Sequence, residues 1–379
     1  MPVAERRTGL SRALWAAAAL VAAVQVWGGL HLTSGVSLAD LRVYLGSLET
    51  LHAGGALYDY AAPRTGAPFT YPPFAALIFA PLPLLPFAVV AILWTAGTLA
   101  AVVAIARLVN PAGAAFAALA LIASAPVSSN LRYGQISVFL VLLVLLDALR
   151  VVPERYRGIV TGIAGAVKLT PLIFVPYYWF SGQRRTAVTS MVSFVTTTAV
   201  GWIVLPAEST RYWFTTLFNV NRVGNISTGG NQSLNGVLLR WDVADHFRTP
   251  IVALVGAIVV VLALWRATRA HRAGDDLTAV ILVGAAGLVL SPVSWTHHQI
   301  WLVAAAFLAV SHRTAVNHLW TGLVLAIMIL PVLWIGAGLS DELIIGNARV
   351  WLAVAVAAVV PFVNVRAPMT SSSQRVTTP

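Results

Sequence analysis

Cysteine is absent from the 379 residues, and charged residues make up only 10% of them. The missing thiols exclude disulfide bonds, cysteine nucleophiles, zinc–thiolate sites and iron–sulfur clusters. Soluble domains carry about 25% charged and about 45–50% apolar residues, whereas 59% of this chain is apolar. Its apolar residues fall in long uncharged runs that one soluble core could not bury. The composition therefore predicts an all-α polytopic membrane protein.

Two motifs of nucleotide chemistry are also missing. The sequence contains no G-x-x-x-x-G-K-[ST] phosphate loop and no Asp-x-Asp pair that could hold a divalent cation on a nucleotide sugar. The adjacent Asp275 and Asp276 fall in a loop that we expect to face the cytoplasm. The sequence therefore favours neither an ATP-driven pump nor a nucleotide-sugar enzyme, and we expect no metal and no cofactor.

The uncharged runs predict where the transmembrane spans lie. They cover residues 13–39, 74–106, 108–131, 133–146, 186–207, 249–265, 277–312, 314–340 and 350–365. Because one span needs about 20 apolar residues, residues 277–312 should hold two helices. Residues 158–180 have basic clusters at both ends and are interrupted at Lys168-Leu-Thr-Pro171, which predicts two half-helices that enter and return. We expect about 10–12 transmembrane helices.

The formal net charge of +11 indicates first how the chain is oriented in the membrane, and only then what it binds. Basic residues cluster in short loops, which the positive-inside rule assigns to the cytoplasm. Both termini are then cytoplasmic, and the loops at 31–73 and 206–248 lie on the far side of the cell membrane. We expect one transmembrane domain over residues 1–365, a cytoplasmic polar tail over 366–379, and an active site on the extracytoplasmic face.

An amphipathic helix is predicted in the first far-side loop. One face carries a leucine stripe and the other carries polar groups at helical spacing. The stripe is Leu38, Leu41, Leu45 and Leu48, and the polar face is Asp40, Tyr44 and Ser47. Such a helix would lie in the membrane interface with its leucines in the acyl region and Asp40 facing water. Alternatively, Ser37 and Asp40 form a capping pair at a helix start.

Two basic residues suit an anionic ligand. Lys168 lies deep in an apolar stretch, where it needs an anion or a water-filled cavity, unless the broken segment is shallow and the lysine reaches water. Arg132 lies in a donor-rich turn with Asn130 and Gln135, where its guanidinium could hold a phosphate in a fork. Arg132 could equally extend to lipid head groups. Tyr71, before a double proline, suits either a site or an interfacial entry turn.

Two further polar segments lie in far-side loops. Asn231, Gln232, Ser233 and Asn235 suit hydrogen bonding to sugar hydroxyls, although asparagine and glycine also favour simple turns. His297 and His298 are adjacent, so they cannot chelate one metal together without ligands from elsewhere. One of them could bind a hydroxyl or phosphate oxygen, and a metal site is the lesser interpretation.

Six strings, taken in chain order, resemble glycosyltransferase family 87, the polyprenol-phosphate-mannose-dependent mannosyltransferases of the GT-C class. They are Asp40-Leu-Arg-Val-Tyr44, Tyr71-Pro-Pro-Phe74, Gly134-Gln135, Lys168-Leu-Thr-Pro171, Asn231-Gln-Ser-Leu-Asn-Gly236 and Ser291-Pro-Val-Ser-Trp-Thr-His-His298. The resemblance implies a GT-C fold, a polyprenyl-monophosphate-mannose donor and an aspartate in the first extracytoplasmic loop as the base. Asp40 is the residue at that position.

The implied reaction is an inverting α-1,2 mannosyl transfer to a mannosylated phosphatidylinositol or lipomannan acceptor. We expect Asp40 to take the acceptor proton, and Arg132, Lys168 and His297 or His298 to stabilise the leaving phosphate. The expected substrate-binding residues are Tyr44, Tyr71, Asn130, Arg132, Gln135, Lys168, Asn231, Gln232, Ser233, Asn235 and Trp295.

The sequence is also consistent with two other functions. One is an arabinofuranosyltransferase that uses polyprenyl-phosphate arabinose, because related chains share the layout. The other is a secondary transporter or lipid flippase, which also needs many spans and a buried lysine. Transporters tend to show internal repeats and intramembrane carboxylates. This sequence shows no repeat, and Asp147, at the cytoplasmic end of its span, comes nearest to an intramembrane acid.

Overall fold

A computed structural model describes residues 3–31, 37–338 and 344–364. The predicted tail at 366–379 and residues 32–36 of the first far-side loop lie outside the described residues. The described part is helical and contains no β-strand, only two isolated bridges, Ala61 with Pro68 and Asn231 with Trp295. The all-α class is confirmed.

The first half of the chain forms nine α-helices within the described residues. They are α1 (Val3–Leu30), α2 (Ala39–His52), α3 (Pro73–Phe79), α4 (Phe87–Val109), α5 (Ala114–Ala123), α6 (Ala125–Tyr133), α7 (Ser137–Ala148), α8 (Ile159–Val167) and α9 (Phe174–Phe180). The second half also contains both long and short helices, nine among the described residues. These are α10 (Arg184–Val204), α11 (Pro206–Phe214), α12 (Leu234–Arg240), α13 (Asp245–Arg272), α14 (Asp276–Leu290), α15 (Ile300–Ala305), α16 (Thr314–Ile329), α17 (Val332–Gly338) and α18 (Ala348–Val354).

Four described helices are long and apolar enough to cross a membrane. They are Thr8–Leu30, Phe87–Val109, Arg184–Val204 and Asp245–Arg272. A fifth crossing arises if Pro111–Ala123 and Ala125–Tyr133, which meet at 62°, form one broken span. The other apolar helices are shorter, because proline and polar turns interrupt the runs that the sequence offers. The chain is a membrane protein, and the larger number of crossings stays a prediction.

Residues 277–312 contain two helices, as predicted. The first, α14, has 11 of its 15 residues buried and packs along α13, α15 and α18. Gly284 permits this packing, because the indole of Trp301 lies where a Cβ at position 284 would stand. Residues 291–299 separate α14 from α15 and include the short 3₁₀ turn Thr296–His298. This polar turn is therefore held between two buried helices.

Helices α8 and α9 form the predicted hairpin. Gly158, before α8, packs on the backbone of Thr186 near the start of α10, and α9 ends four residues before α10. The Thr161 hydroxyl of α8 lies 3.3 Å from the Tyr178 hydroxyl of α9. The start of α8 and the end of α9 therefore lie together. Lys168 lies at the apex between the two helices, in an extended backbone conformation. The predicted break at this lysine is confirmed.

Helix α2 forms where the sequence places it, but two expectations about it were wrong. The residue before the helix is Leu38, whose φ is 54°, and no side chain caps the helix, so Ser37 and Asp40 are not a capping pair. The leucine stripe is at most 6% exposed and packs on protein rather than on lipid. Tyr44 is buried as well, so both faces of α2 contact the rest of the molecule.

Candidate active site

A cavity of about 620 Å³ lies between α2, the loop before α3, the apex of the α8–α9 hairpin and the 291–299 turn. Its polar lining brings together seven of the residues that the sequence analysis selected. They are Asp40, Tyr44, Tyr71, Gln135, Lys168, His297 and His298. Trp295 also lines it. Residues from five separate stretches of the chain therefore meet in one polar cavity.

Gln135 organises the carboxylate side of the cavity. Its amide Nε2 donates to Asp40 Oδ2 at 2.6 Å. Its carbonyl Oε1 accepts from the Tyr71 hydroxyl at 3.0 Å and from the Tyr44 hydroxyl at 3.4 Å. The two phenol oxygens lie 3.0 Å apart. The Asp40 carboxylate is thus oriented by a buried amide that two tyrosines hold in turn.

Local backbone geometry explains how Gln135 reaches Asp40. Helix α6 ends at Gly134, whose φ is 67°, a conformation that favours glycine. A Cβ at position 134 would stand 2.7 Å from the Leu41 side chain, so only glycine lets α6 approach α2 this closely. The Leu38 amide also donates to the Arg132 carbonyl at 2.8 Å. These contacts fix Asp40 and Gln135 relative to each other.

The pKa of the Asp40 carboxyl differs from that of an exposed aspartate. Burial raises its pKa to about 6, while the hydrogen bond from Gln135 and the positive charge of Lys168 act in the opposite direction. A carboxylate with this pKa is ionised at neutral pH and is a stronger proton acceptor than an exposed aspartate. The group is therefore suited to general-base chemistry.

Lys168 and His298 form the opposite wall. Lys168 Nζ lies 2.8 Å from His298 Nε2 and 5.2 Å from the centroid of the Tyr71 ring. The Trp295 amide donates to His298 Nδ1, so the neutral ring carries its proton on Nε2, which faces the lysine. A charged lysine and this N–H are both donors and cannot bond to each other, so an anionic oxygen that enters between them supplies the missing acceptor for both. The pair is chemically suited to a phosphate.

His297 is held by the main chain and by α6. Its carbonyl accepts from Asn130 Nδ2 at 3.0 Å, and its Nδ1 lies 3.5 Å from the Ser129 hydroxyl. Burial lowers the pKa of both histidines well below the usual range, and the charge of Lys168 adds to the effect. Both rings are therefore neutral at pH 7. No group of three metal-ligating side chains occurs among the described residues.

Four predicted site residues lie away from the cavity lining. Asn231 is fully buried; its Oδ1 accepts from the Ser294 amide at 2.9 Å and its Nδ2 donates to the Ile226 carbonyl. Gln232, Ser233 and Asn235 also donate to backbone carbonyls, those of Gly229, Gly346 and Pro292. Asn231, Ser233 and Asn235 tie the 225–236 loop to the 291–299 turn, and Gln232 ties it to Gly346.

Two more predicted residues lie apart from the cavity. The Arg132 side chain is exposed and stacks over Tyr133 at 5.4 Å. Asn130 is buried beneath the histidine turn. The structure thus gathers Asp40, Gln135 and Lys168 but does not bring Arg132 to them.

Several cavity residues escaped the sequence analysis, among them Tyr133, Tyr212 and Thr296. Tyr133 lies in the turn that contains Arg132 and Gln135, and Thr296 lies in the Ser291–His298 string. The predicted site residues beside them were therefore the signal that could have found them. Tyr212 lies on α11, in a loop judged only by its carboxamides. Its local sequence offers no signal, because the cavity reaches it through tertiary packing.

The helical fold and this cavity define a membrane protein with an enclosed polar site. The sequence signature of glycosyltransferase family 87 matches residues 69–292, and the chain belongs to this family.

Curated relatives agree with the assignment. A Mycolicibacterium smegmatis protein, named polyprenol-phosphate-mannose-dependent alpha-(1-2)-phosphatidylinositol pentamannoside mannosyltransferase, is 40% identical over 71% of this chain and 68% of its own length. A Mycobacterium tuberculosis protein of the same name is 39% identical over 71% of this chain and 65% of its own length. A second M. smegmatis protein, a phosphatidylinositol mannoside mannosyltransferase, is 31% identical over 83% of this chain and 80% of its own length. No solved structure matches the chain.

Proposed function

We propose that this protein transfers mannose from polyprenyl-monophosphate mannose to a hydroxyl of a mannosylated phosphatidylinositol, forming an α-1,2 linkage. The observation that carries the proposal is one cavity with the Asp40 carboxylate on one wall and the Lys168–His298 pair on another. The names of the relatives supply the donor and the class of acceptor.

Asp40 is the general base. Its carboxylate takes the proton of the acceptor hydroxyl as that oxygen attacks the anomeric carbon of mannose from the face opposite the phosphate. The C–O bond to the phosphate breaks with its electron pair staying on the phosphate. A single displacement of this kind inverts the anomeric configuration, and a phosphate ester leaves without protonation by an acid.

Lys168 and His298 receive the departing phosphate. Both present hydrogen-bond donors to the cavity from fixed positions, one at the hairpin apex and one on the 3₁₀ turn. Preorganised donors stabilise charge that develops in the transition state, which is the part that a divalent cation plays in many nucleotide-sugar enzymes. In this proposal the reaction needs neither metal nor cofactor.

The cavity faces the extracytoplasmic side, and both termini are cytoplasmic. Supporting this orientation, the basic residues Arg155 and Arg157 precede α8, whereas Lys168 follows it. A nine-residue helix is about 13 Å long, so the basic loop and the cavity lie at opposite ends of α8. The positive-inside rule assigns the basic end to the cytoplasm.

The orientation can be read directly because the chain lacks cysteine. Thr65→Cys and Arg155→Cys each introduce one thiol at an exposed position, the first at the cavity and the second in the basic loop. A membrane-impermeant maleimide applied to intact cells should label the Thr65→Cys variant and spare the Arg155→Cys variant. The reverse pattern would contradict the proposed orientation.

The transfer itself is tested with the purified chain. Incubation with polyprenyl-phosphate mannose and a phosphatidylinositol mannoside should give a product with one more hexose and an α-1,2 linkage, read by mass spectrometry and NMR. Polyprenyl-phosphate arabinose in parallel should give no product. Transfer of arabinose in place of mannose, or export of labelled substrate from vesicles without transfer, would contradict the proposal.

A further inference from the structure

A second cavity, of about 450 Å³, adjoins the active-site cavity on the other side of α2. The two cavities share Ala39 and Thr65 as lining residues. Two arginines and one glutamate line the second cavity, together with Tyr60 and Phe87. We call it the arginine cavity.

Helix α2 presents a different face to each cavity. Ala39, Arg42, Gly46 and Glu49 follow one another at spacings of three or four residues and therefore share one face, the face of the arginine cavity. Asp40 and Tyr44 form a second pair at a spacing of four and line the active-site cavity. One short helix thus separates the proposed base from the arginine cavity by about one helix diameter, about 10 Å.

The arginine cavity carries an excess of positive charge. Its charged residues are Arg42, Arg64 and Glu49. Among the described residues, neither arginine forms an ion pair. The Arg42 guanidinium lies 3.8 Å from the centroid of the Phe87 ring, and its Nε donates to the Ser37 carbonyl at 3.2 Å. The aromatic contact and this bond hold the guanidinium at the cavity and leave its terminal N–H groups as donors for a phosphate.

The wall behind these arginines is built by close packing. Gly46 lies under the Tyr60 ring, and a Cβ at position 46 would overlap that ring. Arg64 lies in a tight turn that the Ala62 amide closes on the Ala67 carbonyl at 2.9 Å. Ordered backbone on both sides therefore carries the two arginines, rather than a long unstructured loop.

The arginine cavity lies at the boundary of the membrane. Phe87 is the first residue of α4, one of the four helices able to cross a bilayer. Leu84 and Leu85, just before it, are 80% and 44% exposed, as expected for side chains that contact lipid. Phosphates of lipid head groups lie at this level, where arginine and aromatic side chains collect.

We propose that the arginine cavity binds the phosphodiester of the acceptor lipid while the acceptor's mannose reaches Asp40 past Thr65. This inference rests on the proposed function and adds a separate recognition site to it. The donor phosphate is held by Lys168 and His298 across the other cavity, so the two anionic groups of the reaction have two different cationic partners. The site would select acceptors that carry a lipid phosphate over neutral mannosides.

The kinetic test uses the double variant Arg42→Gln/Arg64→Gln with two acceptors. With a phosphatidylinositol mannoside, KM should rise about tenfold and kcat should be unchanged, because charge-assisted bonds to the substrate are lost. With octyl mannoside, which has no phosphate, neither constant should change. Arg155→Gln, an exposed arginine outside both cavities, is the matched control, and Glu49→Gln should lower KM for the charged acceptor.

A binding measurement separates this inference from the proposed function. Dioctanoyl phosphatidylinositol, titrated into the purified full chain, should bind the wild type and bind the double variant about tenfold more weakly. This result is expected even if no mannose transfer occurs. Equal binding by both proteins, or equal loss of affinity for a neutral dioctanoylglycerol, would overturn the inference. Displacement of the lipid by low-millimolar inorganic phosphate would also overturn it, because a free-anion site would then be present.

Discussion

Two polar regions of this protein differ in what their side chains do. In the Asp40–Gln135 region, amide and phenol groups line a cavity and leave a carboxylate open to it. In the 225–236 loop, the side-chain amides of Asn231, Gln232 and Asn235 instead donate to backbone carbonyls. The sequence analysis assigned a part in substrate binding or catalysis to both regions. The comparison teaches that packing, and not polarity, decides which donors and acceptors remain for a ligand.

The second region still serves the first. Asn231 accepts from the Ser294 amide, and Ser233 donates to the Pro292 carbonyl at 2.9 Å. Both contacts hold the turn that carries His298 at the cavity wall. The carboxamide loop is therefore a support for the site, and changes in the two regions should have different consequences.

The largest effect is expected from Asp40→Asn. The amide keeps the size of the side chain but cannot take a proton, so kcat should fall by about 10²–10⁴-fold. Binding of polyprenyl-phosphate mannose, measured by titration, should persist. A variant with full turnover would remove Asp40 from the role of base.

Lys168→Met should produce the next largest loss. The methionine keeps the apolar stem and removes the donor that faces the leaving phosphate, so kcat should fall by about 10²-fold. Single-turnover transfer assays read this step apart from product release. Arg132→Met is the matched control, because that arginine lies outside the cavity and should leave the rate close to the wild-type value.

Asn231→Ala tests the supporting region through stability. The change leaves the buried Ser294 amide and Ile226 carbonyl without partners, which should cost about 1–3 kcal/mol. Thermal unfolding in detergent measures it as a lower Tm. Asn235→Ala, at a partly buried position with one bond to the Pro292 carbonyl at 3.2 Å, should cost less. Equal effects at both positions would contradict this account of the loop.

The smallest effect is a shift in pH dependence. Because the Asp40 carboxyl must be ionised and its pKa is about 6, kcat/KM should fall as the pH drops below about 6. Gln135→Met removes a hydrogen bond that lowers this pKa, so the pKa rises and the acid limb moves to higher pH. The pH profile of the transfer rate measures the shift. A limb that moves to lower pH would contradict the assignment.

Local sequence predicted the elements that depend on local chemistry. Pro171 and the lone Lys168 marked the hairpin break, and the spacing of leucines marked α2. The surroundings of α2 were not predictable, because its partner Gln135 is 95 residues away along the chain. The burial of the leucine stripe and the loss of the expected cap both follow from such tertiary contacts.

The central claim is that one carboxylate acts as a base in a single displacement. The configuration of the transferred mannose, together with mass spectrometry of the rapidly quenched protein, tests it most directly. We predict that the anomeric carbon is inverted relative to the donor and that no mannose is bound covalently to the protein. Retention of configuration, with a mannosyl adduct on Asp40, would contradict the account.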